Sequence, residues 1–131
     1  MRDLLHQELD RAQLICIFND VPRTLPHHIY FAESEGGGQK ALFAVLKCIS
    51  IYFPSTGYVQ GMNALCGHLM TYTTPEDTFA IVVSLFTNYH IQDCFLPGLP
   101  GLEKNFYILL KLIKKYQPRL FTKFNEIGFN P

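Results

Sequence analysis

The stretch Ala41-Leu42-Phe43-Ala44-Val45-Leu46-Lys47-Cys48-Ile49-Ser50-Ile51-Tyr52-Phe53-Pro54-Ser55-Thr56-Gly57 sets the reading of the fold. Leu42, Val45, Leu46, Ile49 and Phe53 recur at three- and four-residue steps. That spacing makes one apolar stripe along a helix. Pro54-Ser55-Thr56-Gly57 then reads as a turn.

The same period continues toward the C-terminus. A helix is expected over about 59–72, with Leu65, Leu69 and Tyr72 inward. Thr74-Pro75-Glu76-Asp77 is a helix start: a threonine to cap, a proline at the first position and acids at the positive end. The helix it opens carries Phe79, Val82, Val83 and Phe86. Two prolines and two glycines mark 96–101 as a loop. Leu102, Phe106, Leu109, Leu110 and Ile113 then line one side of an amphipathic helix, opposite lysines. Pro118 breaks it, and a short last helix is expected to end at Gly128.

Toward the N-terminus, residues 24–38 read as a loop holding Pro26, His27-His28 and Gly36-Gly37-Gly38. Leu5, Leu9, Ala12 and Cys16 suggest one helix over about 3–19. Pro22 is expected to end it, because a residue before proline is pushed away from helical angles. No run alternates as a strand would. The expectation is an all-α chain without a sheet, with the stripes at 42–53 and 102–113 facing the core. No internal repeat or linker divides it.

Composition narrows the class. The chain has 131 residues, of which 48% are hydrophobic, so it can bury a core and is not a disordered segment. Eleven Lys and Arg balance eleven Asp and Glu. A nucleic-acid binder would carry a clustered basic face instead; Lys111, Lys114, Lys115 and Arg119 read as a solvated helix face. Cys16, Cys48, Cys66 and Cys94 are far apart, with no C-x-x-C and no zinc spacing. All four are expected to be small buried hydrophobes, and free thiols suit the cytosol. The start Met1-Arg2-Asp3-Leu4-Leu5-His6 has no secretory character, and no apolar run is long enough for a transmembrane helix.

Two blocks carry chemistry: Ile17-Phe18-Asn19-Asp20-Val21-Pro22-Arg23-Thr24-Leu25-Pro26 and Gly57-Tyr58-Val59-Gln60-Gly61-Met62-Asn63. A guanidinium can neutralise charge on a transferring phosphoryl group, and an amide can orient the attacking water. Neither block has the glycine-rich lysine loop that would hold a nucleotide. The pair therefore reads as help given to another protein's GTP hydrolysis. Each residue also has a plainer reading. Arg23 can simply brace its loop through Asp20. Asp20 can hold the guanidinium in one pose or cap the turn opened by Pro22. Gln60 can be an ordinary residue opening a helix. Gly61 would let backbone approach closely, Tyr58 would pack beneath the glutamine, and Asn63 is a local hydrogen-bonding partner without a catalytic role. His27-His28 lack a third ligand, His6, His68 and His90 are scattered, and Asp93-Cys94 lack an oriented base.

The chain resembles a known family. Ile17, Asp20 and Arg23 stand as I-x-x-D-x-x-R, and Tyr58, Gln60 and Gly61 as Y-x-Q-G, extended by Met62-Asn63. These are similar to the two signatures of the TBC domain of Rab GTPase-activating proteins. Pro97-Gly98-Leu99-Pro100-Gly101-Leu102 and Gly128-Phe129-Asn130-Pro131 resemble later stretches of it. The resemblance implies the N-terminal part of a helical TBC domain over residues 1–131. It also implies a domain truncated at both ends, missing an upstream Arg/Trp-containing stretch and C-terminal helices. It implies Arg23 and Gln60 as catalytic fingers acting in trans, the glutamine replacing the GTPase's own, with Asp20, Tyr58 and Gly61 in support. The implied partner is a Rab-family GTPase in the GTP state, in membrane trafficking. That partner would hold Mg-GTP, so the chain needs no cofactor of its own. A cytoplasmic location follows, peripheral on endomembranes through the partner. The alternatives are a non-catalytic GTPase-binding or scaffold protein that keeps the motifs, and an unrelated helical adaptor.

Overall fold

The computed structural model describes residues 1–32 and 37–129. Among these there are seven α-helices, one short 3-10 helix and no strand, so the all-α expectation holds. The chain divides into two compact units, Met1–His90 and Ile91–Pro131.

In the first unit, α3 (Gly37–Tyr52) is the central element. It packs against α1 (Arg2–Leu5), α2 (Arg11–Asp20), α4 (Met62–Met70) and α5 (Pro75–Asn88). The stripe Leu42, Val45, Leu46 and Ile49 is fully buried, and Phe53 just beyond it nearly so. Ile17, Met62, Cys66, Val82 and Phe86 close around it. Burying a side chain of this kind contributes roughly 1.5–3 kcal/mol, so this stripe dominates the unit's stability. Phe53 and Phe86 pack as tilted rings with centroids 5.1 Å apart. Phe31, from the connection before α3, is buried completely and its carbonyl accepts from Gln39 Nε2 at 2.7 Å.

Several local expectations change. The first helix is two helices. Asp10 leaves helical angles (φ −51°, ψ 137°), and its carboxylate accepts from Ala12 N at 3.0 Å and Gln13 N at 3.4 Å. An N-cap of that kind starts a new helix wherever the apolar period alone would run through. Val21 keeps helical angles (φ −57°, ψ −49°) despite the following proline, and its N–H still donates to Ile17 O at 3.0 Å. The proline preference is overridden by one more backbone bond. Gly37 and Gly38 lie in α3 and not in a loop. The Tyr30 carbonyl approaches so closely that a Cβ on Gly38 would collide with it. Gly36 lies outside the described residues.

α4 begins three residues later than the periodicity suggests and is rotated. Met62, Asn63, Cys66, Gly67 and Met70 are buried, Leu65 and Leu69 only half-buried, and Tyr72 is 79% exposed. α5 starts as expected: Thr74 Oγ1 accepts from Asp77 N at 3.2 Å and Pro75 takes the first position. Of the cysteines, Cys48 and Cys66 are buried, whereas Cys94 is intermediate and Cys16 exposed, because Cys16 lies on the outer side of α2.

In the second unit a 3-10 helix (Ile91–Cys94) precedes α6 (Pro100–Tyr116) and α7 (Pro118–Glu126). Pro118 separates the last two, as expected. α7 ends at Gly128 (φ 66°): the Phe129 N–H donates to Phe124 O at 2.9 Å and the Gly128 N–H to Asn125 O at 3.2 Å. The Phe124 and Phe129 rings meet at 4.9 Å, which completes a Schellman-type stop. The apolar stripe of α6 is not core. Phe106 and Leu109 are 41% and 43% exposed, and no residue of α6 or α7 is buried. Periodicity reports which side of a helix is apolar and says nothing of what covers it.

Candidate functional site

The site is built on two turns held together by α2. Asp20 is the last residue of α2 and is buried to 7% exposure. A carboxylate there faces the negative end of the helix dipole and loses its water, so it is costly unless both oxygens find donors. They do. Arg23 donates to Oδ1 through Nε at 2.8 Å and Nη2 at 2.6 Å. Tyr58 donates its hydroxyl to Oδ2 at 2.6 Å. Burial, then the hydrogen bond to Asp20 and its charge, push the Tyr58 phenol well above its ordinary value. It stays a protonated donor at any physiological pH.

Arg23 itself projects. Its side chain is 57% exposed while its partner's is 11% exposed. The loop behind it is tied down by Thr24, which is buried and donates Oγ1 to the Asp20 carbonyl at 2.8 Å. Thr24 also sits against α4 at Gly67, where a Cβ would lie 2.5 Å from its methyl. Leu25, next along, is held at φ 47°. A residue with a side chain in this region is strained by roughly 1–2 kcal/mol, so the surroundings dictate the loop's shape.

The second turn carries Gln60. It precedes α4 instead of opening it, because Gly61 stands at φ 104° and cannot be the first turn of a right-handed helix. Gln60 is exposed. The turn is fixed from behind by Gln13 of α2, whose Oε1 accepts from the Tyr58 N–H at 2.8 Å. Asn63 Oδ1 accepts from the Gly61 N–H at 3.1 Å, and Asn63 Nδ2 donates to Thr24 Oγ1 at 2.8 Å.

The two motifs thus converge. Arg23, Gln60, Gly61, Asn63 and Ala64 line one open recess. Beside it, Cys16, Asn19, Asp20, Tyr58 and Gln60 line a smaller one. Every residue singled out from the two blocks lies here, and Tyr58 reaches Asp20 with its hydroxyl. Gln13 and Thr24 were not legible as parts of the site. A glutamine on a helix and a threonine in a loop are ordinary in sequence, and only the distances reveal what they hold. The remaining polar candidates stay apart: His27, His28, His68 and His90 are exposed and line neither recess.

Residues 2–131 match the Rab-GTPase-TBC domain model. Over 112 residues the chain is 36% identical to the Rab GTPase-activating protein tbc-11 of Caenorhabditis elegans, covering 86% of this chain and 12% of that one. It is 32% identical over 114 residues to the human Ecotropic viral integration site 5 protein homolog, covering 87% and 14%. Over 133 residues it is 33% identical to GTPase-activating protein GYP5 of Saccharomyces cerevisiae, covering 99% and 14%. The chain therefore spans a small part of the length of these curated relatives. Its fold is that of the Ypt/Rab-GAP domain of Gyp1p, with a TM-score of 0.78 at 24% identity over 98% of this chain and 50% of that one. A helical chain that joins I-x-x-D-x-x-R to Y-x-Q-G through Asp20, and matches the domain model along its length, belongs to the Rab-GTPase-TBC domain family.

Proposed function

We propose that the chain is a GTPase-activating module for a Rab-type small GTPase, acting through Arg23 and Gln60. The single observation that carries this is their shared recess. Two side chains from separate motifs border one open, solvent-facing hollow, and the arginine is clamped by a buried carboxylate. An open hollow suits a partner's surface better than it suits a small molecule.

In GTP hydrolysis, charge builds on the transferring phosphoryl group. A guanidinium presented from outside stabilises it, by roughly 10³–10⁵ in rate. The Asp20 clamp uses Nε and Nη2, which leaves the other terminal nitrogen, Nη1, to meet the phosphate. Gln60 would align the attacking water in place of the GTPase's own glutamine. The partner holds Mg-GTP and is recognised in its GTP state. The module would reach endomembranes through that partner, in trafficking; among the described residues no helix is long and apolar enough to cross a membrane.

Single-turnover GTP hydrolysis across a panel of Rab-type GTPases tests this. At least one should be accelerated, and Arg23→Ala and Gln60→Ala should each remove most of the acceleration. Binding in the GTP state should survive Arg23→Ala better than catalysis, because the finger's contact is strongest in the transition state. Tight GTP-state binding with no acceleration of any GTPase would instead identify a non-catalytic scaffold.

A further inference from the structure

We propose that Asn63 is a positioning residue that locks the Arg23 loop to the Gln60 turn, so that both fingers meet one phosphoryl group in fixed register. The proposal rests on the reading of Arg23 and Gln60 as the two fingers. Its evidence is a directional chain of hydrogen bonds. The Gly61 N–H donates to Asn63 Oδ1 (3.1 Å), Asn63 Nδ2 donates to Thr24 Oγ1 (2.8 Å), and Thr24 Oγ1 donates to the Asp20 carbonyl (2.8 Å).

The direction is forced. Gly61 N–H can only donate. The Thr24 hydroxyl hydrogen is committed to Asp20 O, so Thr24 can only accept from Asn63. An amide is the one side chain of this size that offers an acceptor at one end and a donor at the other. Gly61 adjoins Gln60, and Thr24 adjoins Arg23. Asn63 is 8% exposed and Thr24 4% exposed, so both bonds are sheltered from competing water. Asp20, at the far end of the chain, is the residue whose carboxylate clamps Arg23. The link therefore fixes the loop through its backbone and the guanidinium through the same residue. A displacement of about 1 Å between catalytic groups costs on the order of 10²-fold in rate, which is the effect such a lock prevents.

Asn63→Leu and Thr24→Val cut the link from opposite ends, so one remains informative should the other fail to fold. Amide hydrogen exchange is measured first and needs no GTPase. In Asn63→Leu the Gly61 amide should exchange roughly tenfold faster or more, while amides in the buried part of α3 keep their protection. Unchanged Gly61 exchange would overturn the link whatever the kinetics show. Single-turnover hydrolysis is measured second. Both variants should lower the maximal rate by roughly tenfold or more without raising the half-saturating GTPase concentration, and Thr24→Ser, which keeps the hydroxyl, should recover most of the loss relative to Thr24→Val. In an Arg23→Ala background the same substitutions should cost clearly less than in the wild type, because one of the two fingers they misplace is already absent. An equal fold-loss in that background would make Asn63 merely structural and sink the proposal. Should Arg23→Ala keep the wild-type rate, the finger reading itself fails and the positioning role falls with it, an outcome separable from the exchange result.

Discussion

Tyr58 donates its hydroxyl to the oxygen of Asp20 that Arg23 leaves open, at 2.6 Å, and so joins the second sequence motif to the first. The carboxylate is bound from both sides across 38 residues of chain. Its pose, and through it the pose of Arg23, depends on a residue from another turn. Tyr58→Phe should therefore destabilise the fold by about 1.5–3 kcal/mol, the range for a hydrogen bond to a charged group. Urea unfolding of the two proteins measures it, and GTPase activation should fall alongside. Equal midpoints would mean that the hydroxyl contributes nothing.

Arg23→Lys should rescue little of the activity lost in Arg23→Ala. Asp20 is held by Nε and Nη2 together, which leaves the other end of the fork free. A lysine has one point of charge and must choose between Asp20 and the phosphate. Single-turnover rates compare the three proteins, and a lysine variant within about tenfold of wild type, set against the roughly 10³-fold or greater value of an arginine finger, would contradict the fork argument.

Stability should fall on the alkaline side. Burial pushes the Cys66 thiol up to about 12 from 9.0. Burial and Asp20 raise the Tyr58 phenol from its ordinary value of 10.0. In both cases the folded state keeps a proton that the unfolded chain releases. The contribution is complete below the unfolded value and is lost as pH rises above it. For Cys66 the window runs from about 9 to about 12. Each group adds a slope of up to about 1.4 kcal/mol per pH unit within its window. Cys66→Ala should flatten the decline above pH 9, and Tyr58→Phe the decline above pH 10, in unfolding free energies measured across that range. Parallel curves for wild type and Cys66→Ala would refute the assignment.

Gly67→Ala should damage the site from a position outside it. The new methyl would lie 2.5 Å from the Thr24 methyl, and Thr24 is tethered to both Asp20 and Asn63. The loop must move or the helix must. A cost of about 1–3 kcal/mol is expected, the range for overpacking. Chemical-shift changes should concentrate on residues 20–25 and 61–64. A variant as stable as wild type with an unmoved Thr24 amide would show that the contact is slack.

The helices were largely legible because burial imposes a period that a chain cannot hide. The α3 stripe from Leu42 to Phe53 and the Thr74-Pro75 start of α5 are local facts, decided within a turn or two. Breaks between helices were not. Asp10 begins α2 because a side-chain oxygen competes with continued helix, and the apolar period through Leu9 and Ala12 masks that. The rotation of α4, which buries Met62, Cys66 and Met70 and leaves Tyr72 outside, depends on where α3 and α5 lie.

The sequence by itself determined that the chain is helical and that it carries the two motifs of its family, Ile17, Asp20 and Arg23 in one and Tyr58, Gln60 and Gly61 in the other. Motifs are read one residue at a time, so chemistry that resides in residue types survives in the linear order. Only the tertiary structure decided how these residues support one another. Tyr58 reaches Asp20, Gln13 holds the Tyr58 backbone, and Asn63 reaches Thr24 across 39 residues. Those pairings depend on angles and separations of a few tenths of an ångström between elements distant in sequence. Such geometry is set by the packing of α2, α3 and α4 as a whole, and no local pattern encodes it.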